Sequence, residues 1–212
     1  MTSLVPSPGQ SAARGITPLI RGSSRRSRLM RVQFHRTAER RYSVVVLREG
    51  MDPLRMISAP GFDPLMPHDL QHFIVEQELG IKLGIFGQLA AGGTAGTFHH
   101  QHSQHDRKTS RRSRRVKKRG RSLSAAGHSD SMRSERATYI CWFNWLSASN
   151  DSELVRRAAS MTDTARSILS SMPNAERKTF SKAAIQRINS RMDVVSRQWA
   201  AIAIGQTLEL AW

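Results

Sequence analysis

Apolar and polar residues alternate along several short segments of the chain, as they do in half-buried strands. Residues 31–35 alternate strictly, and residues 42–47 are rich in β-branched side chains. The link between these two segments is short enough for a hairpin, and residues 54–58 are a candidate third strand. Residues 205–212 alternate again at the end of the sequence. Together these segments predict a small antiparallel sheet, made of N-terminal strands and a closing C-terminal strand.

Other segments carry apolar residues three and four positions apart, which is typical of amphipathic helices. One helix is predicted from Pro67, a residue type favoured at the first helical position, to about Leu79, where Gly80 ends it. The glycine-rich stretch 80–96 predicts turns, helix caps and close packing, with a short helix inside it. Two later helical stripes contain Tyr139, Trp142, Phe143 and Leu146, and then Ile185, Ile188, Met192, Val195 and Trp199.

Two segments lack any such pattern, and they divide the chain into four parts. Residues 1–29 are rich in Ser, Arg, Pro and Gly and are expected to be a disordered basic tail. Residues 98–134 hold few apolar side chains and are expected to be a disordered insertion rich in His, Arg and Lys. Residues 30–97 and 135–212 then form the two halves of one α+β core, the second of them mainly helical.

The positive charge of the chain is concentrated in the two unpatterned segments. The formal net charge is +17, of which residues 1–29 carry +5 and residues 98–134 carry +9. Residues 30–97 are neutral, and residues 135–212 carry +3. The charge therefore indicates basic appendages on a nearly neutral core, and it supports a salt-sensitive affinity for polyanions.

Cysteine content and hydropathy exclude several classes of protein. The single cysteine, Cys141, excludes an intrachain disulfide framework and a cysteine zinc cluster. One thiol is typical of a reducing compartment, so we expect a cytoplasmic protein. No apolar run approaches the roughly 20 residues that span a bilayer, so no transmembrane segment is expected.

The predicted helix after Pro67 carries a cluster of metal-binding side-chain types. His68, His72 and Glu76 follow one another at intervals of four, so on a helix they form one stripe. Two imidazoles and a carboxylate are suitable ligands for zinc or another divalent metal, the only cofactor that the sequence indicates. Asp69 lies beside them and is expected to orient a ligand or to act as an acid or base.

This motif has only an outline resemblance to known patterns. It differs from the HExxH motif of zinc proteases because Asp69 takes the place of the glutamate. It resembles the HDxxH pattern of the coenzyme Q biosynthesis scaffold family, but residues 83–88 contain no acid where that family has its glutamate. We carry no function over from so short a likeness. The alternative is structural, with Asp69 offsetting the helix dipole and His72 buried and hydrogen-bonded.

A second candidate site is the basic run 107–121, which holds ten Lys or Arg residues and no acid. Such charges neutralise phosphates and release counterions, so the run predicts contact with nucleic acid or another polyanion. No aromatic residue interleaves it, so base stacking is not predicted. The alternative is a merely solvated linker. The predicted contact residues are Arg107, Lys108, Arg111, Arg112, Arg114, Arg115, Lys117, Lys118, Arg119 and Arg121.

Three functional hypotheses follow. The first is a small intracellular binding protein that makes weak contact with nucleic acid, without sequence specificity, through its basic segments. The second is a metal-binding module or metal-dependent enzyme that uses the helix after Pro67. The third is a structural or partner-binding module without catalysis, for which the surface around Trp145 would matter. The sequence identifies neither a substrate nor a protein partner.

Overall fold

Two antiparallel strands joined by a tight turn form the centre of the sheet. The computed structural model describes residues 30–100 and 107–212, so the predicted tail 1–29 lies outside the described residues. The strands pair in the order β4-β3-β2-β1-β5, and every pairing is antiparallel. They are β1 (Met30–Ala38), β2 (Arg41–Arg48), β3 (Leu54–Met56), β4 (His99–His100) and β5 (Thr207–Ala211).

The two predicted apolar stripes, 139–146 and 185–199, lie on long helices. The α+β class and the closing C-terminal strand, which pairs with β1, are confirmed. The described helices are α1 (His68–Glu78), α2 (Ile85–Ala90), α3 (Arg107–Ala126), α4 (His128–Ser147), α5 (Ser152–Ala159), α6 (Thr162–Ser171), α7 (Asn174–Arg177) and α8 (Lys182–Ala201). No described helix is both long and apolar enough to cross a membrane.

One apolar core joins the sheet to the helices. Val32 and Phe34 of β1 are fully buried in the same cluster as Phe73 of α1 and Trp199 of α8. Phe34 meets Phe73 edge to face, with ring centroids 6.1 Å apart, a geometry that aromatic rings favour. The core therefore draws on residues from both sides of the basic segment. It also fixes α1, which carries the candidate metal ligands, between the sheet and α4.

The segment predicted as a disordered insertion is largely helical, which corrects that expectation for residues 107–134. They form α3 and the first turns of α4, and residues 99–100 form β4; residues 101–106 lie outside the described part. The prediction failed because α3 has almost no apolar face. Gly120 allows a close approach to Gly93, and Ser124 Oγ donates to Gln88 Oε1 at 3.0 Å. A helix attached in this way gives no hydrophobic periodicity, although Arg, Lys and Ala all favour helix.

Candidate metal centre

The site begins where α1 starts, one residue after Pro67. The His68 backbone N–H donates to the Gly61 carbonyl at 3.0 Å, which ties the preceding loop to the first turn. Gly61 has a φ of +74°, and a β-carbon there would lie 2.7 Å from His68 Cβ, so both the turn and the close approach require glycine. The loop thus fixes His68 at the edge of the core, while His72 lies one turn further along on the buried face.

Helix α4 brings a third ligand to the two histidines. One candidate ligand atom from each of His68, His72 and Glu135 lies within 4.8 Å of the others. The rings of His68 and His72 are nearly perpendicular, with centroids 4.5 Å apart. His72 Nε2 lies 3.4 Å from Glu135 Oε2. Two imidazoles and a carboxylate at such separations can share one divalent ion.

The hydrogen bonds around His72 determine which of its nitrogens can bind a metal. Ser134 Oγ donates to Glu76 Oε1 at 2.7 Å and also lies 2.8 Å from His72 Nδ1. Since the single hydroxyl proton of Ser134 goes to the carboxylate, the hydroxyl oxygen accepts from Nδ1–H. Thr138 Oγ1 is a second neighbour of Nδ1, at 3.2 Å. His72 Nδ1 therefore carries a proton, and in the neutral ring the Nε2 lone pair is free.

That Nε2 atom is buried and lacks a hydrogen-bond partner among the described residues. The whole His72 side chain is inaccessible to solvent. Its 3.4 Å separation from Glu135 is an electrostatic contact rather than a well-formed hydrogen bond. A buried polar atom without a partner costs free energy, which a bound cation at this point would offset.

Glu76, which the spacing predicts as the third ligand, is directed elsewhere. Its Oε1 accepts from the Ile85 N–H at 2.7 Å, and its Oε2 accepts from the Phe86 N–H at 2.9 Å and the Gly87 N–H at 3.3 Å. These donors form the first turn of α2, whose N-cap is Gly84. Glu76 is therefore the hydrogen-bond acceptor that caps α2, and it contacts His72 through Ser134.

Asp69 also departs from its predicted role. Its carboxyl group forms a hydrogen bond with the Tyr42 hydroxyl, whose oxygen lies 2.6 Å from the Pro60 carbonyl oxygen. The hydroxyl has one proton for two acceptors, so protonation of Asp69 would satisfy the chain Asp69–Tyr42–Pro60 completely. Burial raises the pKa of Asp69, which favours that arrangement. Asp69 thus ties α1 to the sheet instead of orienting a ligand.

Two of the three candidate ligands have shifted pKa values. Burial lowers the pKa of His68, and the neighbouring His72 lowers it further, so the neutral imidazole is favoured. The pKa of Glu135 is lowered, first by a hydrogen bond from His72; this holds for a ring with a proton on Nε2, which a metal ion would replace. Metal ligands must be deprotonated, so the directions for His68 and Glu135 are compatible with a bound ion.

A cavity of about 340 Å³ adjoins His68 and Glu135. Its apolar lining includes Phe62, Trp142 and Met161. Such a cavity gives a ligand access to one side of the cluster, while His72 closes the other side from within the core. Three protein ligands with an accessible fourth position is the arrangement of catalytic zinc sites.

The second predicted site lies along α3. The described side chains of its predicted contact residues are all exposed, namely Arg114, Arg115, Lys118, Arg119 and Arg121. The side chains of Arg107, Lys108, Arg111, Arg112 and Lys117 lie outside the described part, although their backbone belongs to α3.

Ser134 and Glu135 are site residues that the sequence patterns do not indicate; they lie where the predicted disordered insertion 98–134 meets the second half of the core. A signal was present, because small or polar residues recur on α4 at the spacing of a buried helix face. Ser134, Ala137, Thr138 and Cys141 are all buried there, against the core that holds α1. The stripe could have predicted close helix packing, but nothing in it indicates that α1 is the partner.

Comparisons of the chain with protein-family models, with curated proteins and with solved structures give no match.

Proposed function

We propose that this protein binds one zinc or similar divalent ion through His68, His72 and Glu135, as a metal-dependent enzyme does. The observation that carries the proposal is His72 Nε2, which is buried, faces Glu135 and has no hydrogen-bond partner in the described structure. Because Nδ1 carries the proton and donates it to Ser134, Nε2 keeps the lone pair that can bind a metal ion.

The donor set defines the chemistry that such an ion would supply. Imidazole nitrogen with carboxylate oxygen suits zinc, and three protein ligands leave a fourth position for water or substrate. An ion in this setting acts as a Lewis acid and activates water at neutral pH. The chain contributes by holding His72 through Ser134 and by supplying the apolar cavity beside the open position.

Metal content of the full-length chain, purified without a histidine tag, tests the proposal. We expect about one zinc ion per chain, and close to none in the His68→Ala/His72→Ala double variant. The matched control is His99→Ala/His128→Ala, which removes two exposed histidines outside the cluster and should keep the ion. Elemental analysis after dialysis gives the stoichiometry.

Two single variants test the assignment of individual groups. Glu135→Gln removes a ligand, while Ser134→Ala removes the acceptor that orients His72, and each should weaken zinc binding about 10- to 100-fold. Glu153→Gln, at an exposed carboxylate on α5, should leave the affinity unchanged. A wild-type chain that folds normally without metal, and binds none when zinc is added, would refute the proposal and favour a structural module.

A second candidate function, contact with duplex nucleic acid through α3, has an observation of its own. The basic run is part of a single helix, so its fifteen residues extend about 22 Å along one axis. Ten charges over that length give about one per 2 Å, close to the one per roughly 1.7 Å of a DNA duplex. Without aromatic residues in the run, phosphate contact is the recognition that α3 can offer. Both functions are proposed for the cytoplasm, where a chain with one cysteine needs no disulfide.

The salt dependence of duplex binding tests this second function. In Arg114→Gln/Arg115→Gln/Lys118→Gln/Arg121→Gln, the magnitude of the slope of log K against log salt should fall by about 3.6, because each of the four lost phosphate contacts removes about 0.9. The matched control is Arg156→Gln/Arg166→Gln/Lys182→Gln/Arg197→Gln, which removes the same charge from exposed positions on other helices. Fluorescence anisotropy with a labelled duplex measures both. Equal slopes for the two quadruple variants would show that only net charge matters.

A further inference from the structure

The cavity beside the candidate metal centre also contains an ion pair. Arg157 of α5 and Asp63 of the loop before α1 both line it, together with Phe62, Tyr139, Trp142 and Met161. Arg157 donates through Nη2 to Asp63 Oδ2. Its guanidinium carbon lies 5.3 Å from the centroid of the Trp142 ring, in cation–π contact. The charge of Arg157 is therefore fixed in position within an otherwise mainly apolar cavity.

Asp63 has both carboxylate oxygens occupied. Oδ2 accepts from Arg157, and Oδ1 accepts from the Leu65 N–H at 2.9 Å. The side chain of Asp63 is also only 11% exposed, so it is poorly placed to contact a ligand. Its position indicates that it holds Arg157 in place.

Arg157 retains free donors. No acceptor among the described residues contacts its Nε or Nη1, and 38% of its side chain is accessible. A guanidinium matches the planar fork of a carboxylate with two parallel hydrogen bonds. The contacts with Trp142 and Asp63 hold the Arg157 guanidinium in place before a ligand binds, which reduces the conformational entropy lost on binding.

We propose that the cavity binds a small acyl compound with a terminal carboxylate, which pairs with Arg157 while the acyl end reaches the metal at His68, His72 and Glu135. This inference rests on the proposed metal site. A cavity of about 340 Å³ is at the small end of ligand pockets, so the ligand is a small molecule rather than a polymer. A monoanion is favoured over a dianionic phosphate because Asp63 already offsets the charge of Arg157.

Paired hydroxamate probes test the proposal on the full-length, zinc-loaded chain. One series consists of alkyl hydroxamates of three to six carbons, and the other carries a terminal carboxylate on the same chains. The hydroxamate group binds zinc, so both series report on the metal, while only the second offers an anion to Arg157. Isothermal titration calorimetry should show tighter binding of the carboxylate series, by about tenfold or more at the best chain length.

Substitution of Arg157 then tests whether this residue causes the tighter binding of the carboxylate series. Arg157→Gln should abolish the preference for carboxylate and leave the alkyl hydroxamates within about twofold of their wild-type affinity. Arg156→Gln is the matched control, because it removes the same charge from the neighbouring exposed position. Asp63→Asn/Arg157→Gln repeats the test without leaving Asp63 unpaired, in case the single variant does not fold.

The outcomes separate this inference from the proposed metal site. Three results with a zinc-loaded chain would overturn the inference and leave the metal site intact. They are equal affinity for the two probe series, a preference for carboxylate that survives Arg157→Gln, and no binding of either series. A chain that binds no zinc overturns the metal site and, with it, this inference. A preference lost in Arg157→Gln and kept in Arg156→Gln supports both.

Discussion

Two glutamates near His72 have opposite environments, and this difference assigns their roles. Glu76 is fully buried and accepts hydrogen bonds from three backbone N–H groups and one hydroxyl, so its role is structural. The Glu135 side chain is 56% exposed and faces the histidines, so it is available to a ligand. The sequence favoured Glu76 because it lies four residues after His72, and such neighbours on one helix can be recognised from spacing alone. A contact between two helices, such as that of Glu135, cannot.

Cys141 is a buried titratable group for which the structure predicts a dependence of stability on pH. Burial raises the pKa of its thiol from 9.0 to about 12. The unfolded thiol loses its proton above about pH 9 and the folded thiol does not, so stability should fall as pH rises between these values. At pH 10 this effect should cost about 1.4 kcal/mol.

Urea unfolding at pH 8 and pH 10 measures this effect. The free energy of unfolding should fall by about 1.4 kcal/mol less in Cys141→Ala than in the wild type, because the variant has no thiol to titrate. The comparison also removes the contribution of tyrosine ionisation, which both chains share. Parallel pH profiles would contradict the assigned burial of the thiol.

At the scale of elements, the short helix α2 depends on a side chain from α1. Its first turn has no side-chain cap of its own, and Glu76 accepts from the N–H groups there. A β-carbon at Gly84 would lie 2.4 Å from the Glu76 carboxylate, so the close approach requires glycine although its φ is ordinary. The predicted role of the glycine-rich stretch, close packing, is confirmed here.

Glu76→Ala should therefore destabilise the protein far more than Glu135→Ala. The first variant leaves several buried donors without an acceptor and should cost about 3 kcal/mol or more. The second removes a half-exposed side chain and should change the stability of the metal-free protein by less than about 0.5 kcal/mol. Urea unfolding of both variants in the presence of a chelator gives the comparison. Equal losses would show that Glu76 is not the cap of α2.

At the scale of the whole molecule, the last described strand joins the helical second half of the core to the first described strand. β5 pairs with β1 from Arg31–Ala211 to His35–Thr207. Trp212 then packs against Phe73 of α1 and Phe86 of α2, with ring centroids 5.4 and 5.9 Å apart. Trp212 thus supports α1, which carries two of the candidate metal ligands, and α2, which Glu76 caps.

Leu208→Ala/Trp212→Ala tests this closure. Loss of two apolar side chains from the core should lower the free energy of unfolding by about 4 kcal/mol. Ile57→Ala/Leu169→Ala, at exposed apolar positions, should change it by less than about 1 kcal/mol. Thermal unfolding followed by circular dichroism measures both. A small effect of the first pair would mean that β5 is only peripheral to the core.

The sequence by itself determined the α+β class, the central hairpin, the closing strand and the position of α1. Each of these depends on a local period of two or three to four residues, or on a nearby Pro or Gly, so neighbouring residues carry the information. It also identified His68 and His72 as a pair, because they are one helical turn apart. These features need no knowledge of which element packs on which.

Only the tertiary structure decided the rest of the site. Glu135 and Ser134 lie about sixty positions after the histidines and reach them because α4 packs on α1. Glu76 turned away because α2 offered three N–H donors, a preference that spacing cannot reveal. Helix α3 likewise packs on the core through a few close contacts, at Gly120 and Ser124, and not through an apolar face. The basic charge was visible in the sequence, but its arrangement along a single helix was not.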